Sequence, residues 1–368
     1  MINKMVVANL VQRPMRSLIS ISAVALEVIL ILLIVSFFYG QLNGSKASQM
    51  GVGADVMVQP PGSSALVGVT GAPVPVKVGD KLRQLPHVVV AAPVIWELTT
   101  KPTLEIIYGI DLESYNSISP AFRFLSGGGF QGPYDVIVDD YFAGTKRAKV
   151  GDPIAILDHD FRICGIVEHG KGARKFVPLS TMQDLIGAPG HASVFYIKLD
   201  DPANVDTVVN EIKQVPGMEN YAVRSMQEYL SMMTPENLPG FETSIRIVVA
   251  ISMIIGFLVI FQSMYTAVME RTREIGILKA LGASKLYIVS AVIRESALLA
   301  IAGIVAGTIV SFVARRIILI ELPTQRLFWS NGWVLRATVL ALVGALAGAL
   351  YPAYKAAQKD PIDALAYE

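Results

Sequence analysis

The chain has 368 residues, 53% of them hydrophobic and only 17% charged, with a net charge of +1. Soluble domains carry nearer a quarter charged residues, so the balance points towards lipid, and the near-zero charge gives no overall field for gripping nucleic acid. A single cysteine, Cys164, excludes a disulfide framework or a thiolate metal site within one chain.

Residues 1–16 include INKMVVANLVQ, which sets Ile2, Met5, Val6 and Leu10 on one helical side. A short amphipathic helix in the headgroup layer is expected there. Within residues 17–40 lies LISISAVALEVILILLIVSFFY, which contains one charge, Glu27. A hydrocarbon core of about 30 Å needs roughly 20 apolar residues, and this run suffices. It is longer than a signal-peptide core and reads as an uncleaved anchor. Glu27 is costly in lipid, by about 2.5 kcal/mol or more if ionised. It is expected to face Arg294 or Glu295 inside a helix bundle or to be neutral, with packing favoured over an ion relay.

Residues 41–244 read as mixed α and β. ADVMVQP and VVVAAPVIWEL have strand character, and PPGSSALVGVTGAPVPV and Gly127-Gly128-Gly129 read as flexible loops. YDVIVDD and KVGDPIAILDHDFRICGIV form an all-β grouping in which Asp158-His159-Asp160 is expected as a turn. Such short strands suggest a small barrel inserted into an α/β layer. VFYIKL, the amphipathic DPANVDTVVNEIKQV and YAVRS give strand, helix and strand, half of a split βαβ unit.

Three more apolar runs follow, at 245–269, 286–313 and 333–354. Between the first two lies ERTREIGILKALGAS, within residues 270–285. Here Ile275, Leu278 and Leu281 recur at i, i+3 and i+6 as a narrow apolar ridge, behind a charged first turn of Glu270, Arg271, Arg273 and Glu274. Gly282 stands where a left-handed residue would close the helix, and Gly276 is tolerated where a partner approaches closely. Gly303-x-x-x-Gly307 and Gly344-x-x-x-Gly348 allow tight helix packing. Short loops near the membrane carry their basic residues mainly before span one, between spans two and three (Lys279 among them), and after span four. That bias places both termini and 270–285 inside, and the large domain and residues 314–332 outside. Arg315 and Arg316 run against it.

Chemistry of the enzymatic kind is missing. The sequence has no G-x-x-x-x-G-K-[ST] phosphate loop and no H-E-x-x-H. His87, His159, His169 and His191 stand apart, and Asp139-Asp140 reads as a solvated turn. No catalytic, cofactor or metal residue is expected.

ERTREIGILKALGAS resembles the signature cytoplasmic loop of the MacB/FtsX/LolC-type ABC transporter permeases. RPMRSLISISAVALEV, DVIVDDYFAGTKRAKVGDPIAILDHDFRICGIV, RESALLAIAGIVAGTIVSFV and the ending YPAYKAAQKDPIDALAYE in 355–368 are similar to other parts of that family. Ala366 departs from it, since arginine is frequent there. The resemblance implies an α-helical membrane protein with four transmembrane helices plus a large α+β extracytoplasmic domain. That domain would comprise a porter-like part (45–105 and 193–240) and a small β subdomain (about 106–192). It also implies a multi-pass protein of the bacterial inner membrane, and a dimer with a second permease copy or paralogue. A separate ABC ATPase subunit would dock on Glu270, Arg271, Arg273, Glu274, Ile275, Gly276, Leu278, Lys279, Leu281 and Gly282. A periplasmic adaptor or lipoprotein carrier is a further partner of the kind implied. The expected role is export or extraction of an amphipathic cargo by relayed motion. The alternative is FtsX-like signalling to an extracellular cell-wall hydrolase without transport.

Overall fold

The computed structural model describes residues 13–63, 73–99, 105–118, 120–238, 240–321 and 325–359. The expected surface helix at the N-terminus and the closing motif from Asp360 lie outside those residues. The chain divides into two compact units, one of membrane-length helices and one of mixed α and β structure, with residues 41–238, 325 and 326 in the second.

The first helix, α1 (Pro14–Met50), continues ten residues past the expected end of span one. The mixed unit then follows in chain order: β1 (Val56–Gln59), β2 (Val74–Pro75), α2 (Val78–Leu82), β3 (Val88–Thr99), β4 (Glu105–Ile110), α3 (Leu112–Ser117), β5 (Phe124–Gly127), β6 (Asp135–Asp139), α4 (Asp140–Lys146), β7 (Pro153–Ile156), β8 (His159–Val167), β9 (Lys175–Pro178), α5 (Leu179–Leu185), β10 (His191–Ala192), β11 (Val194–Leu199), α6 (Val205–Gln214), β12 (Ala222–Ser225) and α7 (Met226–Met232). The chain closes with α8 (Phe241–Glu270), α9 (Thr272–Ala280), α10 (Lys285–Glu321) and α11 (Asn331–Gln358). Four of these helices, α1, α8, α10 and α11, are long and apolar enough to cross a membrane. ARRIILIE, expected in a loop, extends α10 to Glu321 because it contains no helix breaker.

Ten strands form one sheet in the order β12-β1-β11-β3-β4-β9-β6-β8-β5, with β7 against β8. β1 runs antiparallel to both β11 and β12, and β11 antiparallel to β3. Thus β11-α6-β12 and β1-α2-β3 are two interlocked split βαβ units, where the sequence showed only one. Leu82 of α2 and Val208 and Ile212 of α6 fill one core with Val56, Val58, Phe195 and Ile197. β3 then acts as a spine. Val88 to Val94 pair with β11, and Val94 to Thr99 pair with β4.

The remaining strands carry their own core around Val136, Val138, Phe161, Ile163 and Val177. They continue the same sheet through β4, so the expected inserted barrel is corrected to an extension of the sheet. The turn between β7 and β8 is Leu157-Asp158, with φ of 48° and 61°, rather than 158–160. Two successive left-handed residues suit a two-residue hairpin, whose twist matches the strands. Gly127 has φ of 72°, and the next amide, Gly128, bonds the Cys164 carbonyl at 3.0 Å. This part of the triple glycine is therefore fixed against β8.

In the helical unit the core runs along Val24, Val28 and Ile31 of α1, Ile260 and Met264 of α8, Leu299 and Ile304 of α10, and Ala337, Ala341, Ala345 and Ala349 of α11. The alanine stripe lets backbones come close. A Cβ on Gly303 would lie 2.6 Å from Val24 Cβ, and one on Gly307 2.6 Å from the Ala25 carbonyl, so these glycines seat α10 on α1. A Cβ on Gly348 would lie 2.7 Å from the Phe257 carbonyl of α8, whereas one on Gly344 would meet nothing closer than 3.5 Å.

Candidate docking site and the elements that hold it

The segment 270–285 is built on a break in the helix. Arg271, with φ −109° and ψ 19°, leaves helical geometry, and α9 starts at Thr272. The hydroxyl of Thr272 donates back to the Met269 carbonyl at 2.9 Å, and the Ile275 amide donates to the Arg271 carbonyl at 2.9 Å. At the other end Ala283 N–H bonds Leu278 O and Gly282 N–H bonds Lys279 O, both at 3.0 Å, with Gly282 at φ 95°. That is a Schellman closure, which requires a left-handed residue where glycine stands.

The two faces of α9 differ. Ile275 is buried with Val268, Ile288, Ala356 and Ala357, and Leu278 packs on the edge of this cluster. Full burial of such a side chain contributes about 1.5–3 kcal/mol. Gly276 is buried too. Lys279 Nζ donates to the Ala357 carbonyl at 3.0 Å and to that of Lys359, tying α9 to the carboxyl end of α11. The outer face presents Arg273, Glu274 and Ala280, with Ile277 45% and Leu281 81% exposed, and Leu286 79% exposed beyond the turn. The apolar ridge read from the sequence is therefore rotated: Ile275 and Gly276 serve internal packing, while the i, i+4 pair Ile277 and Leu281 faces outward. Ile277 and Leu286 were missed; for Ile277, its i+4 spacing from Arg273 on α9 was the available signal.

Charges fasten the break. Glu295 of α10 is buried and takes Arg16 at 3.0 Å and Arg271 at 3.2 Å. Glu270 pairs with Arg13 and lies 3.6 Å from Arg16. Glu270 and Arg271 thus have partners inside the chain. The expected pairing of Glu27 with Arg294 or Glu295 is corrected: Arg294 is exposed, Glu295 belongs to this clasp, and neither Glu27 oxygen has a hydrogen-bond partner.

The last turn of α1 lies within the mixed unit. Gln49 donates to the Tyr108 hydroxyl at 2.8 Å and accepts from the Tyr196 hydroxyl at 2.9 Å, and all three side chains are buried. Burial pushes the Tyr108 hydroxyl up to about 12. Gly172 N–H bonds the Ser48 carbonyl at 3.0 Å. The loop arginine Arg326 donates to the Gly44 carbonyl at 3.0 Å and lies over the Tyr141 ring. Arg315 bonds the Leu327 carbonyl at 3.4 Å and Arg316 stacks on Phe312, which gives these two basic residues structural work. In the mixed unit a cleft of about 800 Å³ has apolar walls from Leu98, Phe142, Ile154 and Leu157, with Lys146, Asp152, Asp158 and Lys175 in its polar lining.

Four membrane-length helices, a short two-faced helix between the second and third, and a large α+β unit between the first and second define a multi-pass protein of the permease type. Residues 17–215 match the MacB-like periplasmic core domain, and residues 246–361 match the FtsX-like permease C-terminal domain. The chain belongs to the MacB/FtsX-like family of ABC transporter permeases. It is a permease subunit of an ABC-type transport or signalling system, with four helices long and apolar enough to cross a membrane. An uncharacterized ABC transporter permease of Methanocaldococcus jannaschii is 26% identical over 60% of this chain and 58% of its own length. A macrolide export ATP-binding/permease protein MacB of Rhodopirellula baltica is 30% identical over 47% of this chain and 26% of its own length. The chain therefore spans less than two thirds of either relative. Among solved structures, the periplasmic region of MacB from Actinobacillus actinomycetemcomitans is 16% identical, covering 48% of this chain and 92% of its own, with a TM-score of 0.39. The extracellular domain of the YknZ transporter from Gram-positive bacteria is 14% identical, covering 46% and 99%, with a TM-score of 0.37.

Proposed function

We propose that this chain docks a separate ABC ATPase on the outward face of α9 and relays the motion of that ATPase through the helices to the α+β domain. The observation that carries the reading is the two-faced character of α9. Its inner face is fixed by Ile275, Lys279 and the Arg271–Glu295 pair, so force applied to it passes into α1, α10 and α11. Its outer face leaves Arg273, Glu274, Ile277 and Leu281 accessible. An exposed apolar pair rimmed by charge is the composition of a protein interface. At the far end of α1, Gln49 and Ser48 hydrogen-bond to Tyr108 and Gly172 of the mixed unit to which they belong.

The work done is export or extraction of an amphipathic cargo, carried out by a dimer of such subunits. The cleft that combines Leu98, Phe142 and Ile154 with Lys146, Asp152 and Asp158 suits a ligand with an apolar body and a polar end. Co-purification tests the docking step. Full-length protein with Ile277→Asp and Leu281→Asp loses the ATPase yet stays in the membrane; retention of the ATPase by that variant contradicts the assignment. Cargo-stimulated ATP hydrolysis by the reconstituted complex supports transport. Hydrolysis unresponsive to any amphipathic ligand, with a cell-wall hydrolase bound to the outer domain, favours signalling.

A further inference from the structure

Glu27 occupies an unusual position. Its side chain is only 2% exposed, and both carboxyl oxygens lack a hydrogen-bond partner. The carboxyl is inserted into a notch on α8, where a Cβ on Gly256 would fall on Oε2. Gly344 of α11 closes the other side, its hypothetical Cβ 4.0 Å from Oε1. Each of these residues lies near the middle of its membrane-length helix, so the group is far from either water layer.

No charge reaches it along the helices. On α1, Arg16 is 11 residues away, about 16 Å at 1.5 Å per residue, and Tyr39 is at a similar remove in the other direction. On α8 the titratable residues are Glu242, Arg246, Tyr265 and Glu270, the nearest about 13 Å along the axis from Gly256. On α10 they are Lys285, Tyr287, Arg294, Glu295, Arg315, Arg316 and Glu321, and on α11 Arg336, Tyr351, Tyr354 and Lys355. Arg16 and Arg271 both contact Glu295, one on each of its oxygens, rather than Glu27. An ionised carboxylate without a counter-charge or donor is the most expensive state of this group in a low-dielectric interior, and the neutral acid is the cheaper one.

We propose that Glu27 is a proton-binding site at the midplane of the bundle. It holds its proton while α1 is packed against α8, and it exchanges that proton with water when the two helices part. Exchange is simple in balance: the acid gives its proton to entering water and leaves a carboxylate, and repacking takes a proton back. Because α8 ends at the α9 break, the site senses the same helix that the docking segment moves. The protonation of Glu27 itself does not depend on any docking partner.

Infrared difference spectroscopy on the full-length protein in lipid nanodiscs at pH 7.5 tests this. The wild type minus Glu27→Gln spectrum is expected to show loss of a carboxylic acid C=O band with no loss of carboxylate bands. Loss of carboxylate bands instead would overturn the proposal. If the Gln variant is not recovered, the wild type alone must retain an acid band at this pH, and its absence is equally decisive. Gly256→Ala displaces the carboxyl from its notch, and the acid band is expected to titrate away at lower pH than in wild type. A band that titrates identically in both proteins would refute the dependence on α1–α8 packing.

Discussion

Arg271, at the break between α8 and α9, donates to Glu295 of α10 across 3.2 Å, with both side chains under one tenth exposed. The pair fixes the direction in which α9 leaves the bundle. Removing one member of a buried ion pair leaves an uncompensated charge and costs about 3–5 kcal/mol. Glu295→Ala removes the buried carboxylate that Arg271 and Arg16 share. Full-length protein with this change is expected to unfold at lower temperature in detergent, with faster amide exchange across 270–285. Unchanged exchange there would show that the clasp does not hold α9.

The paired glycines of α11 give a differential prediction. Gly348→Ala drives a methyl against the Phe257 carbonyl at 2.7 Å, a backbone atom that cannot turn away. Overpacking of this kind costs roughly 1–3 kcal/mol. Gly344→Ala meets only ordinary contacts at 3.5 Å or more and is expected to be nearly neutral. Thermal unfolding of the two variants side by side checks the order.

Gln49 joins α1 to the sheet through two tyrosine hydroxyls. Gln49→Leu leaves Tyr108 and Tyr196 with only each other, at 3.3 Å. An orphaned buried polar group costs about 1–3 kcal/mol. The expected result is a destabilised α+β domain and reduced cargo-stimulated ATP hydrolysis, while ATPase co-purification is retained. Loss of co-purification would mean that the change acts at the docking end instead.

Asp139 caps α4 through the Phe142 amide at 2.7 Å, yet burial pushes its carboxyl up to about 6. The folded value lies above the ordinary one of 3.8, so the fold penalises the ionised form. Stability near 135–147 is therefore lowest above pH 6, rises as pH falls from 6 towards 4, and levels off below. At 1.36 kcal/mol per unit the gain is on the order of 3 kcal/mol. Protection factors for this segment are expected to rise between pH 7 and 5 in wild type. In Asp139→Asn, which keeps the cap oxygen, they should stay flat.

The four membrane helices were readable because uninterrupted apolar length is a strong signal, and Gly282 was readable because a helix end with glycine has a local cause. The facing of α9 was not. With Ile275, Ile277, Leu278 and Leu281 all apolar, the sequence permits two ridges. The choice is made by Val268, Ile288 and Ala356, which arrive from three other helices. The partners of Glu295 were hidden for the same reason: Arg16 is 279 residues distant in sequence. In the α+β unit, local alternation located β1, β3, β6 and β12, but the continuation of one sheet through β4 depends on a parallel pairing with β9 that no local pattern encodes.

Sidedness tests the relay most directly, because the motion must begin on one face of the membrane and end on the other. In a Cys164→Ser background, Ser284→Cys and Asp160→Cys place single thiols at exposed positions in the docking segment and the α+β unit. Membrane-impermeant maleimide applied to intact cells is expected to label position 160 and to reach position 284 only after lysis. Labelling of both positions from the same side would contradict the relay.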